Sequence, residues 1–277
     1  MRHERIYLNE NDKRVYIDTY IVDRDKPRDA LLVIPGGGYG RVCTDREGEP
    51  VALDFVQKGY NCFVLGYRCG TEADVYPAHI TDAGSAMIYI REHAVEFKIN
   101  PTRVFAVGFS AGGHLCGSLA TMFDYPEVKA VFGDKARMIR PTGAILSYPV
   151  TIARENTHKG SFKNLLGKPF EEYTDAEREK FSLDVAVTPD ASPMFIWHTV
   201  EDHLVPLDGT LMLGLALYRA KVPFKMSVYP YGLHGIALGT DLTENCSDSI
   251  QPLASGWTAE ADAWMRTLSS DSTEKII

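Results

Sequence analysis

The feature that most narrows the fold is a repeated pairing of two patterns. A short apolar run stops at a polar or turn-forming residue, and a stretch with apolar residues three and four apart follows. The runs are residues 30–34 (ALLVI), 61–65 (NCFVL), 103–107 (RVFAV), 143–147 (GAILS), 193–197 (PMFIW) and 224–228 (FKMSV). Most lack the polar alternation of a half-exposed strand, which suits strands buried on both faces. The helical stretches are 49–58, 77–97, 111–122, 207–220 and 258–268. In 49–58, Pro50 stands at the start and Gly59 just beyond the end, as start and stop signals. In 77–97, Ile80, Ala83, Met87, Ile90, Ala94 and Phe97 fall on one face. This order predicts an α/β fold with a mostly parallel central sheet and helices on both faces. Residues 15–22 alternate and read as an early antiparallel strand at one edge. The 277 residues fit a single α/β domain over 1–277.

Residues 151–192 break the rhythm. They are polar and charged, and Thr174-Asp-Ala-Glu177 has the form of a capping box. Two readings stay open: a small cap insertion over one end of the sheet, and an ordinary long connection.

Gly108-Phe109-Ser110-Ala111-Gly112 has the form GxSxG. It follows one predicted strand directly and opens a predicted helix directly. That context is what a nucleophile elbow requires, and it exposes the serine hydroxyl at the end of the sheet. The helix N-terminus favours the negative charge that develops beside it. The alternative is a tight strand-to-helix turn with a solvated serine.

Acyl transfer also needs backbone N–H groups aimed at the developing oxyanion. Pro35-Gly36-Gly37-Gly38-Tyr39 follows the first buried run and supplies a loop of that kind. Gly37 and Gly38 are assigned as donors, with the N–H of Ala111. Tyr39 has two open readings, as a wall of the acyl pocket or as an ordinary half-buried loop residue. The spacing matches neither GxxxxGK[ST] nor GxGxxG, which argues against phosphate or dinucleotide binding.

A serine nucleophile needs a base, because its hydroxyl is hardly ionised at neutral pH. In a hydrolase of this topology the chain order is serine, acid, histidine. His3, His79 and His93 precede Ser110, and His114 lies along the following helix. His158 falls in the irregular stretch, His198 ends a strand, and His203 adjoins the acid candidates. His234, flanked by glycines in Tyr231-Gly-Leu-His-Gly235 after the last run, is assigned as the base. The acid belongs in the loop after 193–197, where Glu201 and Asp202 both carry the charge. Asp202 is preferred because Leu204-Val-Pro206 can pack that loop back onto the fold. No HExxH is present, and neither a metal nor a cofactor is expected.

PGGGY (35–39), EGEPVA (47–52), GFSAGGHL (108–115), FIWHTVEDHLVP (195–206) and YGLHG (231–235) together resemble bacterial esterases of the α/β-hydrolase superfamily. The nearest resemblance is to the acetyl xylan esterase and feruloyl esterase-like branch, over residues 30–270. The resemblance implies the α/β-hydrolase fold and a triad of Ser110, Asp202 and His234. It also implies short-chain acyl esters on carbohydrate, acetyl or feruloyl, as substrates.

Composition trims the remaining choices. The chain has 29 basic and 37 acidic residues, a formal net charge of −8. Nucleic acid is therefore an unexpected partner. Neutral esters or sugars suit this balance better than strongly anionic ones. No apolar run reaches the roughly 20 residues of a membrane span. The N-terminal residues lack the apolar core of a signal peptide, so a cytoplasmic location is expected. Cys43, Cys62, Cys69, Cys116 and Cys246 form no CxxC pair and read as free thiols. The expected partner is a small-molecule or oligosaccharide ester, and a homo-oligomer is left open. Two rival readings remain: a peptidase or amidase of the same fold, and a non-catalytic binding protein that kept the fold.

Overall fold

In the computed structural model, which describes residues 1–24, 26–244 and 248–268, eight strands form one sheet. They are β1 (Arg2–Tyr7), β2 (Tyr16–Ile21), β3 (Arg28–Ile34), β4 (Asn61–Gly66), β5 (Ile99–Phe109), β6 (Ala144–Ser147), β7 (Met194–Thr199) and β8 (Phe224–Tyr229). Their spatial order is β1-β2-β4-β3-β5-β6-β7-β8. From β4 to β8 every neighbouring pair is parallel, while β2 runs antiparallel to both β1 and β4. This is the α/β-hydrolase fold.

The edge strand departs from the expectation. Residues 15–22 do form an antiparallel strand, but β1 lies outside it. The sequence RHERIY hides β1 because nearly every position is exposed. Its cross-strand ties are polar instead, as in Arg5 with Asp18 at 2.7 Å. Charges on an outer strand also discourage pairing with another sheet edge.

The helices are α1 (Thr44–Glu47), α2 (Glu49–Lys58), α3 (Ala78–Glu92), α4 (Ala111–Thr121), α5 (Pro126–Phe132), α6 (Lys159–Leu166), α7 (Asp175–Lys180), α8 (Leu183–Ala186), α9 (Asp208–Ala220) and α10 (Trp257–Thr267). Side chains of successive strand residues point to opposite faces, and the core divides accordingly. Ala30, Leu32 and Ile34 of β3 pack with apolar residues of α3, α4 and α9. Leu31 and Val33 pack on the other face with Val51 and Phe55 of α2 and Trp257 of α10. Gly59 ends α2 in the left-handed region at φ 108°, where glycine carries no Cβ penalty. Helix α3 ends at Glu92, earlier than the apolar spacing predicts. The chain continues as turns and reverses through Lys98 at φ 51° into β5.

Residues 151–192 carry α6, α7 and α8, with the Thr174–Glu177 capping box formed. Cys43, Cys62, Cys69 and Cys116 are free thiols, and Cys246 lies outside the described residues. Among the described residues no helix is long and apolar enough to cross a membrane.

Candidate active site

Strand β5 delivers Ser110 at its C-terminal end, and Ala111 opens α4 immediately. The serine is held at φ 53°, ψ −117°. Such a conformation is costly for a residue with a side chain and persists only where the surroundings enforce it. Here the turn is closed by backbone on both sides. A Cβ on Gly108 would collide with the carbonyl oxygen of Gly112, and one on Gly112 with that of Ile34. Ser110 N–H donates to Ser147 O at 3.0 Å, and Val150 N–H donates to Ser110 O at 3.1 Å. These bonds lock the elbow onto the end of β6 and the loop that follows it.

His234 and Asp202 converge on this serine. Ser110 Oγ lies 2.8 Å from His234 Nε2, and His234 Nδ1 lies 2.6 Å from Asp202 Oδ2. Asp202 is buried. Its Oδ1 accepts N–H bonds from Leu204 at 3.0 Å and Val205 at 2.8 Å. His198 Nε2 stands 3.2 Å from Oδ2. Burial by itself raises the Asp202 pKa, but the bonds from His198, His234 and the Val205 N–H outweigh it and hold the pKa well below the usual carboxylate range. The carboxylate is thus anionic at neutral pH, which fixes the proton of a neutral His234 on Nδ1 and leaves Nε2 as an acceptor facing Ser110.

Glu201, the other acid candidate, is turned away. Its Oε2 accepts the Gly232 N–H at 3.0 Å, and Thr199 Oγ1 donates to Gly232 O at 2.7 Å. Both bonds strap the histidine loop to the loop that carries Asp202. His198 has a role that its strand-end position did not reveal. Its Nε2 faces two acceptors, Val205 O at 2.9 Å and Asp202, so Nε2 carries the proton and Nδ1 accepts from Thr210 Oγ1 at 2.8 Å. His203 is exposed. His114 is buried between Tyr39 OH (2.8 Å) and Phe181 O (2.9 Å), and burial pushes its pKa down to about 4.

The glycine loop faces the same point. The carbonyls of Gly36, Gly37 and Gly38 are occupied, by Cys43 N–H, by Gly40 and Arg41 N–H, and by Asn164 Nδ2 at 2.9 Å. Among the described residues the Gly37 and Gly38 N–H groups donate to nothing. Ala111 is the first residue of α4, so its N–H has no partner within the helix. Gly37, Gly38, Ser110 and His234 line one cavity of about 230 Å³. Larger clefts of about 400 and 390 Å³ lie elsewhere, and neither is lined by a serine or a histidine.

Tyr39 does not line that cavity. Its ring is buried beneath the loop, 2% exposed, with the hydroxyl on His114. The pocket-wall reading is corrected: Tyr39 takes φ 58°, and the turn drives its side chain inward as an anchor for the glycine loop.

The residue that sequence reasoning missed is Glu47. It is 2% exposed and spans the gap between two loops. Its Oε2 accepts the Gly36 N–H at 2.8 Å and its Oε1 accepts the Tyr148 hydroxyl at 2.9 Å. Tyr148 in turn accepts the Ala237 N–H at 3.0 Å and meets the His234 ring edge-on, centroids 5.0 Å apart. One buried carboxylate therefore braces the glycine loop and the histidine loop together. Burial raises its pKa, against the lowering effect of these two bonds. Replacing Glu47 with alanine strands both donors, each at a cost of about 1–3 kcal/mol. Glu47→Ala is expected to lose roughly 2–4 kcal/mol of folding stability in urea unfolding and to lower kcat.

Comparison with known proteins follows the same lines. Residues 17–217 match the model of a family described as BD-FAE. The chain is 40% identical over 230 residues to the endo-1,4-beta-xylanase B of Butyrivibrio fibrisolvens, and 32% identical over 215 residues to an acetylxylan esterase of Xylanibacter ruminicola. Those matches cover 80% and 76% of this chain but only 34% and 42% of the relatives. The chain thus spans about a third to two fifths of the length of these curated relatives. The acetyl ester-xyloside bifunctional hydrolase of Caldicellulosiruptor lactoaceticus superposes with a TM-score of 0.82 at 31% identity, covering 96% of each chain. By the extent of the family match and by this structural likeness over 96% of each chain, the chain belongs to the BD-FAE family of the α/β-hydrolase fold.

Proposed function

We propose that the chain is a serine esterase that hydrolyses short-chain acyl esters on carbohydrate, acetyl groups foremost. The observation that carries this reading is the unbroken chain of contacts from Ser110 Oγ through His234 to Asp202, at 2.8 and 2.6 Å. Its serine end shares one cavity with Gly37 and Gly38, whose N–H groups are unengaged, and is followed directly by Ala111.

The steps follow from that geometry. His234 Nε2 takes the Ser110 proton as Oγ attacks the ester carbonyl. The oxyanion is held by the N–H groups of Gly37, Gly38 and Ala111. Asp202 stabilises the imidazolium without taking its proton. The C–O bond to the alcohol then breaks, and the alcohol leaves with the proton from His234. Water attacks the acyl-serine with the same histidine as base, releasing the carboxylic acid and restoring Ser110. The relatives named acetylxylan esterase and acetyl ester-xyloside hydrolase support the choice of acetyl groups on a xylose-based sugar.

The test is hydrolysis of p-nitrophenyl acetate, butyrate and octanoate, run beside acetate release from acetylated xylo-oligosaccharides. The expected result is a preference for acetate and Ser110-dependent release from the oligosaccharides. Turnover of the aryl esters without release from the sugars would keep the esterase and discard the carbohydrate. Matched amides of the same acyl group should be turned over far more slowly, and equal rates would favour the amidase reading instead.

A further inference from the structure

We infer that the cavity over Ser110 recognises a carboxylate carried by the ester substrate, and that Arg41 and Arg46 are the residues that bind it. The inference rests on the esterase reading and names the substrate class of that same site.

Both arginines line the cavity together with Ser110 and His234. Arg41 sits in the glycine loop, its N–H bonded to Gly37 O at 3.2 Å. Arg46 belongs to α1, one residue before the Glu47 brace. Carboxylates are plentiful in this chain, and other arginines close on them. Arg5, Arg14 and Arg68 each meet an aspartate at 2.7 Å, and Arg103 does so at 2.8 Å. The cavity pair does not. Among the described residues the Arg41 side chain makes no hydrogen bond or ion pair. Arg46 has only a loose approach to Asp45 at 3.8 Å, on a side chain that is 76% exposed, and a weak contact with Cys43 Sγ at 3.8 Å. Its Nε is buried with no partner.

One buried carboxylate in the cavity wall attracts Arg46, but it closes no ion pair with either arginine. Among the described lining residues Glu47 alone has a carboxylate, and both its oxygens are engaged by Gly36 and Tyr148. Two arginines therefore line the cavity where the ester must lie. Their planar donors match the two coplanar oxygens of a carboxylate. The net charge of −8 points towards neutral substrates, but among the described lining residues of this cavity two arginines stand against the single carboxylate of Glu47. Over a few ångströms the local charges outweigh the screened distant ones.

Two matched pairs of esters test this. In 4-acetoxybenzoate and its methyl ester the carboxylate sits on the alcohol half. In phenyl hemisuccinate and its methyl ester it sits on the acid half. For each pair the ratio of kcat/KM is compared in wild type, Arg41→Gln, Arg46→Gln and the double variant, after correction for uncatalysed hydrolysis. A ratio within one protein cancels any general loss of activity. Wild type should favour the charged member of at least one pair, on the order of tenfold at low salt. The pair that shows it identifies which half is bound. The preference should shrink with added salt and vanish in the double variant. Arg46→Gln can disturb packing; Arg41→Gln removes an exposed side chain with no bonds of its own and keeps the test available. Equal or slower turnover of both charged esters by wild type overturns the inference, as does a preference that survives in the double variant. Ser110-dependent turnover of the neutral esters reports separately on the esterase reading; its absence would sink that reading first, and this inference with it.

Discussion

Replacing Ser110 with alanine is expected to lower kcat by a factor of about 10⁴ to 10⁶ while leaving the folded structure intact. The size follows from what is lost. Without Oγ no acyl-enzyme forms, and water must attack the ester unaided by covalent catalysis, so only binding and the backbone donors still act. Folding should survive because the elbow is held by backbone, through Ser110 N–H on Ser147 O and Val150 N–H on Ser110 O. Alanine keeps both bonds. It also removes the polar atom of a residue that is only 7% exposed and strained in φ. The comparison is made on purified proteins with p-nitrophenyl acetate, with circular dichroism melts as the folding control.

Asp202→Asn is the second large effect, and it acts through a proton. The present carboxylate accepts from His234 Nδ1 at 2.6 Å. An asparagine amide turned towards the ring donates instead, which forces the imidazole proton onto Nε2. That nitrogen can then no longer take the Ser110 proton. A loss of about 10⁴ in kcat is expected, with little change in KM. The change also touches stability. The Asp202 pKa is depressed on folding, so its contribution is fully present above about pH 5 and is lost progressively as the pH falls below the unfolded value. Urea midpoints of wild type and Asp202→Asn should therefore lie far apart at pH 7 and draw together towards about pH 2. A constant gap across that range would mean that the carboxylate charge contributes nothing.

Much of this arrangement is legible in the sequence because it rests on backbone rules. A buried strand reads as an apolar run, and an elbow reads as glycines around a serine between strand and helix. The order serine, acid, histidine then leaves few candidates. Side-chain direction inside loops is a different matter. Tyr39 stands beside the assigned oxyanion glycines, yet a positive φ sends its ring under the loop rather than into the cavity. Glu47 looks like any acid at a helix start, and only the folded chain brings Gly36 and Tyr148 to it. Tyr148 is itself 101 residues away from Glu47 along the chain. His198 seemed a strand end, but its neighbours Thr210 and Val205 orient its proton towards Asp202. Strand β1 escaped because an outer strand needs no apolar pattern. In each case the deciding partner comes from a distant segment, and local pattern does not encode it.

The central claim is that Ser110 is an activated nucleophile, and active-site labelling tests it most directly. The protein is incubated with a fluorophosphonate at neutral pH, its intact mass is measured, and the modified residue is located by peptide mapping. One adduct per chain on Ser110, formed rapidly in wild type and far more slowly in His234→Ala, is the result this account predicts. Full esterase activity with no adduct, or an adduct on another residue, would contradict it.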